Sequence, residues 1–416
     1  METDDSLSFE MLQSDLGLGP EAAEVWAAGW EQSQSTFPTA GLDWLLPSQV
    51  DAWCDEIGLS DEARGHAVGA LALFRDVPVL RRLAWHCHQL LHESPGMLNA
   101  RVREWPLLPI AIHPKAEMFL IYPFLAGIPA LRQVYRERNI PEDVLYETLG
   151  DVEIWLREHR SRYGRWGFSE HKWLIQHFSA NLFLLARLQF QPGVYRYDFR
   201  TYRQIQTRRV CVLAPDGLAF SADGLCSPDG CSPDWIARLR ETSTAVEGNP
   251  VSPLGRALRD SVRLPLSEWE LVLQRGDSVI NIHIPAGGSM AHAACGESFR
   301  RAAAFFPEHF PELDPHAFVC TSWLFDPQLE ACLPKKSNIV RLMRELYLVP
   351  APGSTGAQTI QRVFGHGVDW RTGSRETSLQ RAVASHLENG GVWRQGSFLL
   401  FSEDLNWGGE VYRAML

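Results

Sequence analysis

Apolar residues recur three and four positions apart through most of the first 185 residues, the spacing of helices buried on one face. The pattern predicts helices over Glu21–Gln34, Pro47–Ile57, Asp61–Phe74 and Val77–His92, with Pro47-Ser48 and Ser60-Asp61-Glu62 as start signals. Another begins at Pro141 and runs to about Tyr163, with Leu145, Leu149, Val152 and Leu156 along one side. Ser169–Leu185 completes the set. Such faces bury against one another, so a packed helical layer is expected, with its Trp, Phe and Leu residues as core.

Near Pro192 the period shortens to two. Strands are expected at Val194–Tyr202, Arg209–Leu213 and Leu218–Ser221, the last two joined by the turn Pro215-Asp216-Gly217. The duplicated tract CSPDGCSPD (226–234) follows, and its Ser232-Pro233 reads as a helix start leading into Trp235–Thr242. Glu268–Leu273 is a further strand. The most informative segment comes next: an alternating strand Val279–Ile284, then the turn Pro285-Ala286-Gly287-Gly288-Ser289. A helix from about Gly296 to Phe306 and a second apolar strand Ala317–Phe325 complete it. Strand, glycine turn, helix and strand make a βαβ unit. The tail adds a helix at Ser378–Glu388 and a strand at Ser397–Phe401.

A chain of 416 residues exceeds what one ordinary core supports, so two domains are expected: a helical one over 1–145 and a mixed α/β one over 146–416. The net charge of −11 excludes nucleic acid as the main partner. Lysine occurs only at 115, 172, 335 and 336, so Lys335-Lys336 concentrates half of the lysines just after the second strand of the βαβ unit. The longest apolar run, Met118–Leu131, is broken by Pro123 and Pro129 and is too short to span a bilayer. Eight scattered cysteines read as buried free thiols of a reducing compartment. The acidic start Met1-Glu2-Thr3-Asp4-Asp5 lacks the features of a secretion signal. A cytoplasmic location is expected.

Chemistry concentrates in the βαβ unit. Backbone bare of side chains at Gly287 and Gly288 lets N–H groups of the turn meet a phosphate or an oxyanion, although a turn that only reverses the chain has the same sequence. It is neither a phosphate-binding loop with Gly-Lys-Ser/Thr nor a dinucleotide fingerprint, since the third glycine is missing. His283, two residues before the turn, reads either as a satisfied interior histidine or as a general base. Cys320, Ser322 and Trp323 lie on the neighbouring strand, where a short polar group can protonate a leaving thiolate. Ser289 is the alternative centre, a serine nucleophile of a hydrolase or transacylase with His366 and His386 as bases, but the motif lacks its last glycine. His86-Cys87-His88 on a helix does not converge and Cys226/Cys231 has no second pair, so no metal site is expected. A third reading is a non-catalytic binding module.

Five strings resemble a bacterial family of acyltransferase-domain proteins that joins a helical N-acyltransferase-type N-terminal domain to a GNAT-like C-terminal domain. They are ARLQF (186–190), HIPAGG (283–288), the Cys295…Ser298…Phe305-Phe306 helix, FVCTSWLFDP (318–327) and LPKKSNI (333–339). The resemblance implies a sheet in which strands 279–284 and 317–325 splay apart and an acyl-thioester inserts between them. It implies a cofactor site of Ile284, Ala286, Gly287, Gly288, Ser289, Lys335, Lys336 and Asn338 for acyl-CoA. An acyl carrier protein is the other donor allowed, its acidic surface meeting Lys335-Lys336. The acceptor would be an amine of a small molecule. His283, or Glu297 through water, would take the amine proton; a strand N–H near Ile284 would polarise the carbonyl; Cys320, Ser322 or Tyr347 would protonate the thiolate. No metal, nucleic acid or membrane enters this chemistry.

Overall fold

A computed structural model of the chain describes residues 7–92, 100–228, 230–353 and 356–416. The acidic start and Asp229 of the duplicated tract lie outside them. Two compact units result: one is formed by Met1–Leu185 with Pro285–Gly287, the other by Ala186–Ile284 and Gly288–Leu416.

The first unit is helical, and its helices are shorter than the periodicity alone predicts. Gly29, at φ +74°, separates Pro20–Trp26 from Trp30–Ser35, and Gly150 separates Glu142–Leu149 from Asp151–Tyr163. Leu145, Leu149, Val152 and Leu156 are buried, so the face read from the sequence survives the break. The expected helix Ser169–Leu185 needs a larger correction. It occupies only His171–Phe178, and Phe183–Leu185 is a strand whose Leu184 N–H donates to Thr148 Oγ1 at 2.9 Å. A short apolar run such as Phe-Leu-Leu fits a strand as well as a helix end. Aromatic edges fill the interior: Trp26 meets Trp105 at 6.0 Å, and Phe124 meets Phe168 and Phe178 at 5.2 Å each. Within this interior Asp151 Oδ2 accepts from the indoles of Trp155 (2.9 Å) and Trp173 (3.2 Å) and lies 3.0 Å from His177 Nε2.

The second unit is built on five strands: β1 (Leu188–Val194), β2 (Ser278–His283), β3 (Ala317–Ser322), β4 (Tyr347–Pro350) and β5 (Gly396–Leu400). They lie in the order β1-β2-β3-β5-β4. Only β2 and β3 are parallel, joined through the His292–His309 helix; every other neighbouring pair is antiparallel. The βαβ unit of the sequence is thus present, inside a mixed sheet. Phe299 of the helix packs on Phe190, Phe318 and Phe398 from three strands, at 5.9, 5.5 and 6.2 Å.

Between β1 and β2 the chain forms smaller antiparallel sheets around a core of Tyr202, Leu213, Val246 and Leu264. Two expectations are corrected here. Val194–Tyr202 is not one strand: β1 ends at Val194 and Arg200–Gln204 opens a different sheet. Pro192 reads as a breaker yet lies within β1, opposite Ile280. Trp235–Thr242 is not a helix either. Trp235–Ile236 pairs with Ala219–Phe220, and Leu239–Glu241 pairs with Ala245–Gly248. The Ser-Pro start signal is local, and it loses to strand pairing and to the stacking of Trp235 on Phe220 at 4.7 Å.

Candidate active site

Cross-strand partners share a face of a sheet, so the registers sort every side chain. Gln191 pairs with Asn281, Gln189 with His283, and Thr321 with Ser397. These residues form one polar face. Phe190, Ile280, Ile282, Phe318, Cys320 and Phe398 form the other, against the His292–His309 helix. In β2, Asn281 and His283 thus lie on one side of the sheet and Ile280 and Ile282 on the other.

The parallel pair has an unusual end. β2 and β3 are in register at only three positions, Val279↔Ala317, Ile280↔Phe318 and Asn281↔Val319. On its outer side β2 stays paired with β1 as far as His283, and β3 stays paired with β5 as far as Ser322. Both strands continue while the ladder between them stops. Only those main-chain groups of residues 282–283 and 320–322 that turn towards the other strand, and not towards β1 or β5, border the opening where the ladder ends. The ladder ends two residues before His283 and Thr321, which lie on the same face of the sheet, one on each of the two strands that border the opening.

His283 Nε2 lies 3.0 Å from Oε1 of Gln191. A carbonyl oxygen only accepts, so in the neutral ring Nε2 carries the hydrogen and the basic lone pair is on Nδ1. On β3, Thr321 Oγ1 sits 2.5 Å from the hydroxyl of Tyr197 and 2.6 Å from Ser397 Oγ. Beyond β2, Arg187 holds the turn: its Nε donates to the Ser289 carbonyl at 3.1 Å and its Nη2 to that of Gly288 at 2.9 Å. A Cβ on Gly288 would stand 2.8 Å from Arg187 Nε, which explains one of the two glycines; Gly287, at φ +90°, explains the other. Asn338 Nδ2 donates to Ser289 Oγ at 3.3 Å. The His292–His309 helix then begins without a side-chain cap at Ala291. Its first N–H groups and positive dipole end are the kind of site that takes a phosphate. Arg341 Nη2 lies 3.2 Å from His292 Nδ1, adding a cation to that end.

The sequence profile of the GNAT-like C-terminal domain matches residues 182–400, more than half of the chain. The chain belongs to that family. The N-acyltransferase N-terminal domain matches residues 48–180. Among solved structures, an acyltransferase in complex with decanoyl-CoA and teicoplanin superposes with a TM-score of 0.66 at 24% identity, over 95% of this chain and 99% of that one. An acyltransferase in complex with CoA and 10C-teicoplanin gives 0.66 at 23% identity over the same shares, and an acyltransferase mutant in complex with octanoyl-CoA gives 0.65 at 24%. At this identity the likeness concerns the fold. No curated protein matches the chain.

The GNAT-like domain distributes the residues expected from sequence unevenly. His283 and Ile284 lie at the end of β2 beside the opening, Ala286 to Ser289 are exposed in the turn, and Ser289 meets Asn338. Lys335 and Lys336 are exposed just before Ser337, whose side chain caps the Asn338–Arg344 helix. Glu297 is held on the helix surface by Arg300 and by Arg301 at 3.2 Å. Cys320 is on the apolar face, where burial pushes its thiol up to about 12. Ser322 Oγ accepts from Leu324 N–H at 3.3 Å. The Tyr347 hydroxyl donates to the Val251 carbonyl and accepts from Val212 N–H at 3.4 Å, and burial pushes its pKa up. Gln191, Thr321 and Tyr197 escape a sequence reading, and Arg187 enters it only within the string ARLQF, because strand register and not spacing brings them to the site. Among the described residues no group of three or more His, Cys, Asp or Glu is placed to hold a metal, and no helix is long and apolar enough to cross a membrane.

Proposed function

We propose that the chain is an N-acyltransferase that takes an acyl group from acyl-CoA and passes it to an amine of a small molecule by direct attack. The observation that carries the reading is the interrupted ladder between β2 and β3. An extended pantetheine arm needs main-chain hydrogen-bond partners, and the opening offers strand groups on both sides. The pyrophosphate would meet the uncapped N-terminus of the His292–His309 helix and the turn clamped by Arg187, with Lys335 and Lys336 as nearby cations. His283 takes the proton of the attacking amine, and an N–H near Ile284 polarises the thioester carbonyl. Likeness to acyltransferases solved with acyl-CoA supports the same reading. An acyl-carrier-protein donor and a cytoplasmic location belong to this proposal as well.

The serine alternative is the weaker one. The hydrogen-bond partner of Ser289 Oγ is the amide of Asn338, which accepts no proton at neutral pH. The deciding experiment incubates the protein with octanoyl-CoA and a panel of primary amines, following free thiol and product mass. Thiol release coupled to amide formation is expected. An octanoyl group left covalently on Ser289 would favour the serine reading, and neither binding nor turnover with any acyl-CoA would leave a binding module.

A further inference from the structure

Direct attack on a thioester makes two proton demands, and His283 meets only the first. As the tetrahedral intermediate collapses, the C–S bond breaks and sulfur leaves with the bonding pair. The three candidates that the sequence put forward for its proton all point elsewhere. Cys320 belongs to the apolar face, Ser322 faces the same way and caps a turn, and Tyr347 is tied to the backbone of Val251 and Val212. Thr321 and its cross-strand partner Ser397 put hydroxyls on the polar face, and of the two Thr321 is on the strand next to β2.

We infer that Thr321 is the proton donor to the departing thiolate and that Tyr197 refills it, with Ser397 holding the threonine in place; this rests on the acyltransferase reading above. Three observations carry it. Thr321 and His283 share one face of the sheet, one on each strand that borders the end of the ladder, so a carbonyl carbon bound there would have base and acid on its two sides. Thr321 Oγ1 has a hydroxyl on either side, Tyr197 at 2.5 Å and Ser397 at 2.6 Å, and such a row passes a proton by moving hydrogens along existing bonds. Tyr197 is partly exposed and so reaches solvent, whereas Ser397 is buried. The chain therefore has an inner end that is fixed and an outer end that can be reprotonated. A phenol is also a stronger acid than an alkyl hydroxyl, which sets the direction of supply.

The step balances. The amine nitrogen bonds to the carbonyl carbon and gives its proton to His283. The C–S bond breaks, sulfur takes the Thr321 hydrogen, Thr321 takes that of Tyr197, and water restores Tyr197. Amide and free thiol leave, and nothing is oxidised or reduced. Thr321 is the catalytic residue here; Tyr197 and Ser397 act through it.

The test uses the full chain with octanoyl-CoA and n-butylamine, and for comparison an octanoyl thioester of thionitrobenzoate, whose thiolate leaves without a proton. Thr321→Val keeps the shape and removes the hydroxyl, and Thr321→Ser keeps the hydroxyl. With octanoyl-CoA, Thr321→Val should lower kcat about 100-fold with KM within a few-fold, and Thr321→Ser should keep most of the rate. With the aryl thioester all three proteins should react alike. Tyr197→Phe should lower kcat about 10-fold with octanoyl-CoA, with KM within a few-fold, and leave the rate with the aryl thioester unchanged. If the natural chain turns over octanoyl-CoA and Thr321→Val does so equally fast, or if the loss is the same for both thioesters, the relay is wrong and the acyltransferase reading stands. If the natural chain neither binds octanoyl-CoA nor releases thiol, the acyltransferase reading falls and takes the relay with it.

Discussion

A histidine in a strand is an ordinary packing residue unless something sets its tautomer and leaves it beside an opening, and Gln191 and the short β2–β3 ladder do both for His283. Replacing His283 with Ala should lower kcat about 100-fold while octanoyl-CoA binding, followed by isothermal titration, changes little. Unchanged turnover in a folded variant would return His283 to the core. The sequence made this residue visible because it stands two places before a glycine turn. It could not do the same for Thr321, since a threonine in an apolar strand is what β-propensity alone provides. Its meaning depends on Ser397, 76 residues away, and on Tyr197, 124 residues away in the other direction. Tyr347 misled for the converse reason: its hydroxyl is spent on main-chain groups of a sheet whose place the sequence does not disclose.

At the level of elements, the helix of the βαβ unit was legible and its ends were not. It runs from His292 to His309, past the expected limits, and holds Pro307 in its last turn. Gly296 inside it looks like a defect, since Gly costs a helix about 1 kcal/mol relative to Ala. The cause lies in the tail: a Cβ there would stand 2.4 Å from Cδ1 of Trp407, whose ring also lies 5.3 Å from Phe299 and whose Nε1 donates to the His292 carbonyl at 2.9 Å. Gly296→Ala should therefore destabilise by about 1–3 kcal/mol in chemical denaturation despite the better helix former. In a chain that also carries Trp407→Ala the same substitution should become neutral or stabilising, and a penalty that survives there would show that the indole is not its source. Helix-breaking glycines of the first unit could be read only after the fact, because a single Gly29 or Gly150 interrupts a periodicity that continues on both sides.

For the whole molecule, acid is the sensitive variable. Burial pushes His86, His88 and His171 of the first unit down to about 4. In the unfolded chain such groups titrate near 6.5. Their neutral burial thus favours the fold fully above about pH 6.5, and each contributes a loss of up to about 1.4 kcal/mol per pH unit as the pH falls from there towards 4. Urea midpoints should be flat from pH 8 to about 6.5 and drop steeply below it. A curve level down to pH 4 would mean that these rings find partners for both charge states. Composition gave no hint of this, because a buried and an exposed histidine count alike; helices followed by a mixed sheet were legible because periodicities of 3.6 and 2 divide the chain near residue 190, whereas the domain boundary expected at 145 falls inside the first unit, which runs to Leu185.

The order of strands in the sheet sets the order in which it can be made. β5 lies between β3 and β4, although both precede it in the chain by dozens of residues. A growing polypeptide therefore leaves the ribosome with the outer edge of β3 and the inner edge of β4 bare, and keeps them so until Gly396–Leu400 has emerged. Bare edges of apolar strands pair with whatever strand they meet. A chain that stops before Gly396 should accumulate in inclusion bodies, and a synthetic peptide covering β5, supplied during refolding, should recover part of the soluble fraction. Sedimentation of the two preparations reads the result, and a stopped chain that stays soluble and monomeric would show that β3 and β4 can close on each other without the strand between them.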